Sequence, residues 1–366
     1  MRHILWGLFV SVCLGTTPGC GDDDAEPGDA DAAGDDGTTE MGDATETGDA
    51  TETADAAEAG EAGDAVEVAD GDPGTDPLPE GPTGIAARYP GDVDIPTDPD
   101  VIFADDFESY GTPDDLWDRW DNVFQMDRTR LAREPANVHA GSQALEFTIP
   151  VRDSELSNAV DKILTDELDV LFLRYYSKFN LEFDVVGSSH NGSMISAHYF
   201  VDGHATPGIP ADGYNKFLAG YESWRGEAAE PNPGNLNVYV YHPLQRSEWG
   251  DHFFPTGLVM PNTSLPFDFG PRFVARPDVN PELGRWYEYE FMVRANTVGA
   301  RDGRIACWLD GVLIADFQNL ALRYTDVLKI DRFGLSLHAG SNPRSVARKW
   351  YDDVVAATRY IGPRTP

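Results

Sequence analysis

The sequence predicts an all-β fold, a sandwich or jelly roll of two antiparallel sheets, preceded by a disordered acidic linker. Three observations lead there. From Val101 onward, short runs rich in β-branched and aromatic residues are separated by clusters of Gly, Pro, Asn and Asp, which is how strands and turns are written. These runs never alternate with helical patterns, so a parallel α/β sheet is disfavoured. The third observation is where the charge lies. Of 63 acidic residues, 22 fall in residues 21–84, which hold no Lys or Arg, while residues 85–366 hold 41 acids and 26 bases. Neither part offers a basic surface, which argues against a nucleic-acid partner held through its phosphates.

The first 20 residues read as an export signal: Met1–His3 start it, an apolar run follows, and small residues lead to Cys20. The apolar run is about 12 residues, short of the roughly 20 that span a bilayer. Gly19 before Cys20, then Gly21 and three Asp, suit acylation of Cys20, although Thr17 and Pro18 are less usual there. The expectation is an exported protein of the cell envelope, lipid-anchored at the outer membrane or surface and otherwise secreted. The anchor would be its one membrane contact. In residues 21–84 the hexapeptide Gly42–Thr47 recurs as Gly48–Thr53, and large apolar residues are almost absent. Such a segment buries too little surface to offset chain entropy, and its like charges extend it into a spacer. Its carboxylates lack the ligand spacing of a calcium loop.

Residues 85–366 then form one domain, expected to be monomeric. Its single thiol, Cys307, lies in an apolar run and is expected to be packed. The strand candidates are Ala144–Ile149, Leu171–Phe179, Ser193–Phe200, Phe217–Arg225, Leu236–His242, Trp286–Ala295, Arg304–Leu309, Val312–Phe317, Arg332–Leu337 and Tyr351–Thr358. Asp310-Gly311 joins two of them as a tight hairpin. Segments 203–214 and 255–283 are rich in Pro and Gly and read as long loops, often functional in a compact sandwich. Strand parity suggests a groove. Tyr221, Ser223 and Arg225 share one face, as do Asn237, Tyr239 and Tyr241, and as do His190, Met194, Ser196 and His198. If the alternate apolar residues face the core, these polar sets face outward across one sheet and suit a sugar.

The same stretches resemble a known family. Ser223-Trp224-Arg225, Tyr239-Val240-Tyr241-His242-Pro243, Trp249-Gly250-Asp251, Gly284-Arg285-Trp286-Tyr287, Val293–Thr297 and Trp308-Leu309-Asp310-Gly311 follow one another in that order. The series resembles polysaccharide lyase family fourteen, the alginate- and glucuronan-cleaving jelly rolls, over roughly residues 101–361. The resemblance implies a concanavalin-like sandwich, an acidic polysaccharide as partner, and β-elimination with no required cofactor. It carries the family's groove residues onto Ser223, Arg225, Tyr239 and Tyr241, with Tyr221, Trp224, Asn237 and His242 as substrate contacts beside them. Arg225 would neutralise the uronate carboxylate, and Tyr239 or Tyr241 would move the protons. The family's groove Lys has no counterpart in Ser189–Met194, so His190 or His198 is the candidate to replace it. Lys216 is near, but its parity opposes Ser223 and Arg225. Leu337–Ser341 stands where the family has a Phe-Gly-Gly-Ser-like segment.

Other constellations are weaker. Glu182-x-Asp184 is the basis for a glycoside hydrolase, whose retaining chemistry needs two carboxyls about 5 Å apart. A non-catalytic carbohydrate-binding module is the other rival, supported by the missing Lys. Asp106, near the first strand, and Asp353, near the last, are candidates for a structural calcium. His242, Asp251 and His252 lack zinc-ligand spacing.

Overall fold

The computed structural model describes residues 77–187, 189–261, 267–340 and 343–366. The signal, Cys20 and most of the acidic linker lie outside them. Helical structure among the described residues is confined to short 3₁₀ turns, and no helix there is long and apolar enough to cross a membrane.

The strands in chain order are β1 (Val101–Asp105), β2 (Asn122–Phe124), β3 (Thr129–Ala132), β4 (Ala144–Ile149), β5 (Leu156–Leu168), β6 (Val170–Phe179) and β7 (Ser189–His190). Next come β8 (Ser193–Ala197), β9 (Phe200–Val201), β10 (His204–Ala205), β11 (Phe217–Trp224), β12 (Asn235–Tyr241), β13 (Asp251–Phe253) and β14 (Val259–Met260). The last five are β15 (Tyr287–Arg294), β16 (Gly303–Leu309), β17 (Val312–Leu320), β18 (Ile330–Ala339) and β19 (Ala347–Ala357). Two antiparallel sheets result. One has eight strands, ordered β17-β16-β15-β6-β19-β4-β3 with β1 paired to β19. The other has nine, ordered β14-β13-β12-β11-β8-β18-β5-β2 with β7 paired to β18. Strands β9 and β10 form a small separate ribbon. This is the all-β sandwich that the sequence predicts.

Alternation explains the core. From the eight-stranded sheet, Phe147, Leu173, Tyr175, Phe291, Cys307 and Tyr351 point inward and are essentially inaccessible. Ile195, Ala219, Tyr221, Val238, Val240, Phe333 and Leu335 meet them from the nine-stranded sheet. Burying such side chains contributes about 1.5–3 kcal/mol each before chain entropy is charged. At the predicted hairpin, Leu309 pairs with Val312, and both turn residues have positive φ, 51° at Asp310 and 74° at Gly311. That is the mirror-image turn whose twist matches the strands.

The outer face of the eight-stranded sheet is also covered. A second apolar cluster joins Ile85, Ala86 and Ile95 of the entering chain to Phe172, Met292, Trp308, Tyr360 and Ile361. Trp308 Nε1 donates to the Pro79 carbonyl at 2.8 Å, and Leu313 N–H donates to Glu80 at 3.0 Å. Residues 79 and 80 thus pack with the domain. The outer face of the nine-stranded sheet is left for the groove.

Candidate active site

Register across the nine-stranded sheet places one row of residues on its outer face. Asp161 stands opposite Gly334, Gly334 opposite Met194, and Met194 opposite Gly220. Gly220 faces Tyr239, Tyr239 faces His252, and His252 faces Met260. Directly opposed residues in an antiparallel ladder share a face, and the two glycines of the row make room for the carboxylates of Asp161, beside Gly334, and Glu222, beside Gly220. Glu222 opposes Asn237 on the same face, and His190 opposes His338.

Five strands, β7, β11, β12, β13 and β18, therefore deliver a compact polar cluster. His190 Nδ1 pairs with Glu222 Oε2 at 2.9 Å, its side chain 39% exposed against 3% for Glu222. The His190 ring lies 4.8 Å from that of Tyr239 and 5.3 Å from that of His338. His252 Nδ1 meets Asn237 Oδ1 at 2.8 Å, and its ring lies 4.9 Å from Tyr239 and 5.1 Å from Trp224. The Tyr239 hydroxyl accepts a hydrogen bond from Gly250 N–H at 2.9 Å.

Electrostatics separate the roles. Burial works against the His190 imidazolium, but the Glu222 carboxylate, by charge and hydrogen bond, more than offsets it and holds the group above its usual range. Burial raises Glu222 against the pull of His190. His252 and His338 are pushed down to about 3, first by burial and then by the charge on His190. They are neutral rings at ordinary pH. Burial, then Tyr241, drives the Tyr239 phenol far above its usual range, so it keeps its proton.

The next register along holds Tyr241, whose ring is 5.6 Å from Tyr239. Its hydroxyl accepts from Gly208 N–H at 3.2 Å. Lys216 lies over its face, Nζ 4.5 Å from the ring centroid, and is bonded to Thr206. Burial lowers Lys216 to about 8.

Several expectations are corrected. Tyr221, Ser223 and Arg225 do not line the groove. Tyr221 is a core residue, stacked edge-on against Tyr289 at 5.7 Å, its hydroxyl bonded to the Trp308 carbonyl across the sandwich at 3.3 Å. Ser223, on the same parity, is 1% exposed. Arg225 is 5% exposed, tied to Asp184 at 2.6 Å, to Asn232 and to the Ala228 carbonyl. The physical reason is that a tyrosine can face a core when its hydroxyl finds an acceptor there. With that face inward, Gly220, Glu222 and Trp224 turn outward. His242 is also removed: it bonds Asp251 at 3.0 Å and packs edge-on against Phe267 at 5.3 Å, on the other face from Tyr241. His198 lies past the end of β8 with positive φ of 50°, paired with Glu167 at 3.0 Å, outside the cluster. His190, Tyr239, Tyr241, Asn237 and Trp224 are on the groove face as expected.

Glu182 bonds Asn180, and Asp184 is held by Arg225 and Arg344, so neither belongs to the cluster. Asp106 and Asp353 border a cavity of about 480 Å³ beside β1 and β19. Asp353 accepts from His139 at 2.7 Å, and Asp106 accepts from Glu108 N–H. Among the described residues, no group of three or more His, Cys, Asp or Glu is placed to hold a metal. Sequence reading passed over Glu222 and His338, set Lys216 aside by its parity, and weighed His252 chiefly against zinc-ligand spacing. Parity was the available signal, since Lys216, Gly220, Glu222 and Trp224 alternate with the core residues of β11.

Fold and groove together define a concanavalin-like jelly roll with a polar trench across one sheet. Among solved structures, alginate lyase Aly36B matches 71% of this chain and 98% of its own, at TM-score 0.51 and 16% identity. A variant of that lyase in complex with an alginate trisaccharide matches 70% and 98%, at TM-score 0.50 and 17% identity. A Chlorella virus alginate lyase aligns over 71% and 100% at TM-score 0.49 and 14% identity. At these identities the likeness is one of fold. Neither a protein-family model nor a curated protein matches the sequence.

Proposed function

We propose that this protein is a polysaccharide lyase that cleaves a uronic-acid-containing polymer by β-elimination, with His190 and Tyr239 handling the protons. One observation carries the reading: an imidazole backed by a carboxylate stands beside a protonated phenol on the outer face of the nine-stranded sheet. The shared fold with an alginate lyase supports the acidic-polysaccharide class.

Elimination requires loss of the weakly acidic C5 proton of a uronate and departure of O4. Glu222 holds His190 Nδ1, which leaves Nε2 for the substrate. The neutral ring takes the C5 proton, and Glu222 stabilises the imidazolium that forms. The C5–H electrons become the C4–C5 double bond, the C4–O4 bond breaks, and Tyr239 gives its proton to O4. Charge grows beside the uronate carboxylate, so donors there lower the barrier. His338, a neutral ring 5.3 Å from His190, is the candidate donor, because His252 spends its one N–H on Asn237 Oδ1 and both Asn237 amide hydrogens go to backbone carbonyls. Export, acylation of Cys20 and a monomeric state complete the proposal.

A non-catalytic carbohydrate-binding role is favoured by one observation. Arg225 faces away, and Arg332 is paired with Asp161 at 3.2 Å, so neither guanidinium is free to meet a uronate. The full chain, incubated with alginate, glucuronan and a neutral glucan, separates the readings. Appearance of the ultraviolet absorbance of an unsaturated uronate, lost in His190→Ala and Tyr239→Phe, is the expected result. Retention on polymer without any such product, or reducing ends without absorbance, overturns it.

A further inference from the structure

Beneath the trench lies a lysine that the mechanism above does not use. Lys349 of β19 stands opposite Phe147 and Phe179, so its side chain points into the core, where it is 1% exposed. The rings of Phe179, Tyr289 and Tyr351 surround its Nζ at 4.1, 5.2 and 5.3 Å. Its described hydrogen bond crosses the sandwich to the carbonyl of Asn191, the residue after His190. Among the described residues it has no carboxylate at ion-pair distance.

The turn it grips is held from other directions as well. Asn191 accepts from Ser223 N–H at 3.0 Å and donates to the Ser223 carbonyl at 2.8 Å, fastening the turn to the strand that carries Glu222. The Tyr351 hydroxyl reaches the Gly192 and Ser336 carbonyls at 3.2 and 2.5 Å. Only glycine fits at 192, because a Cβ there would come within 1.9 Å of the Tyr221 carbonyl oxygen. A buried amine with so few partners is costly, and an apolar side chain of similar size would pack more favourably there. Retaining such a group fits a site that trades stability for geometry.

We propose that Lys349 is a positioning residue whose reach across the core to Asn191 sets His190 against Glu222. The proposal rests on the reading of His190 as a proton-transfer group, but its test does not. Burial depresses Lys349, and Glu222 partly opposes that, while Lys349 in turn favours the Glu222 carboxylate. The groups facing His190 are Glu222 from β11, Tyr239 from β12 and His338 from β18, with Glu155 and His252 acting at longer range. Glu222 alone holds its titration high at contact distance.

The experiment is an NMR titration of His190 in the full chain, wild type against Lys349→Met, alongside Tm and turnover. Lys349→Met is expected to move the His190 midpoint down, toward an ordinary histidine, with Tm unchanged or higher. Turnover should fall roughly 10- to 100-fold, as misplaced catalytic groups do. An unmoved His190 midpoint overturns the proposal, whatever happens to Tm. If Lys349→Met does not fold, Lys349→Gln decides in the same way, since it keeps a polar head but is too short to reach the Asn191 carbonyl. If His190→Ala remains fully active, the catalytic reading falls, yet the titration shift still tests the strut.

Discussion

The two faces of β11 make an instructive contrast. Tyr221 and Ser223 point into the sandwich, while Gly220, Glu222 and Trp224 point into the trench. Both faces carry polar atoms, so residue type alone does not tell them apart. What differs is the partner each polar atom meets. Tyr221 finds a carbonyl of the opposite sheet, whereas Glu222 finds an imidazole that faces solvent. A buried polar atom that is satisfied belongs to the architecture. A buried carboxylate paired to a half-exposed base marks the candidate catalytic pair.

Substitutions on the two faces should separate activity from stability. The largest expected effect is on the trench side: His190→Ala and Tyr239→Phe should each lower turnover on a uronic polymer by roughly 10²–10⁴-fold, Tyr239→Phe with Tm little changed and His190→Ala with a lower Tm, because it leaves the buried Glu222 carboxylate unpaired. Steady-state kinetics beside thermal melts check this. On the core side, Arg225→Ala should cost about 1–3 kcal/mol in denaturant unfolding, because it removes the donor to Asn232 and the Ala228 carbonyl and leaves Asp184 with Arg344 alone. Turnover of the folded fraction should persist; an abolished turnover with intact stability would return Arg225 to the site.

The pH dependence sharpens the contrast further. As the proposed base His190 must be neutral to accept a proton, and its folded pKa is raised, so activity should climb as pH rises through a midpoint above 6.5. Glu222→Gln should move that midpoint down. Stability should run the other way. Burial raises Glu288 to about 7. Burial, then Glu288, raises Glu290 to about 8. Burial, then Asp353, raises Asp352 to about 8. A carboxyl raised on folding stabilises fully below its unfolded value near 4.3 and loses that contribution as pH rises through the folded value. The domain should therefore be more resistant to denaturant near pH 5 than near pH 9. The smallest effect expected is Tyr221→Phe, about 1 kcal/mol in unfolding free energy for one neutral hydrogen bond, with no change in kinetics.

Much of the fold was legible because β-branched and aromatic runs mark strands wherever both neighbours are covered, as in Phe217–Trp224 and Tyr287–Arg294. The longest strand was not. Leu156–Leu168 carries Asp161, Lys162, Asp166 and Glu167, and its second half is largely exposed. A strand flanked by the short β2 need satisfy the core with only part of its length, and its alternation fades accordingly. At the site, the tyrosines and His190 were legible as outward residues of recognisable strands. Arg225 was misread because the tyrosine two turns of the pleat earlier looked polar. Lys349 left no trace in local pattern at all, since its partner Asn191 lies 158 residues away and only the closed sandwich brings the two together.

The chain enters the domain on the back of the sandwich. Pro79 and Glu80 are fastened to Trp308 and Leu313 of the eight-stranded sheet, while Tyr239 and His190 open from the nine-stranded sheet. Entry point and trench therefore lie on opposite faces. A polymer many sugars long can lie across the front without passing the point where the polypeptide arrives. Glu80, at that point, is kept about the thickness of two sheets, roughly 10 Å face to face, from a polyanion in the trench. At physiological ionic strength that spacing is about one Debye length, enough for the solvent to mute much of the repulsion.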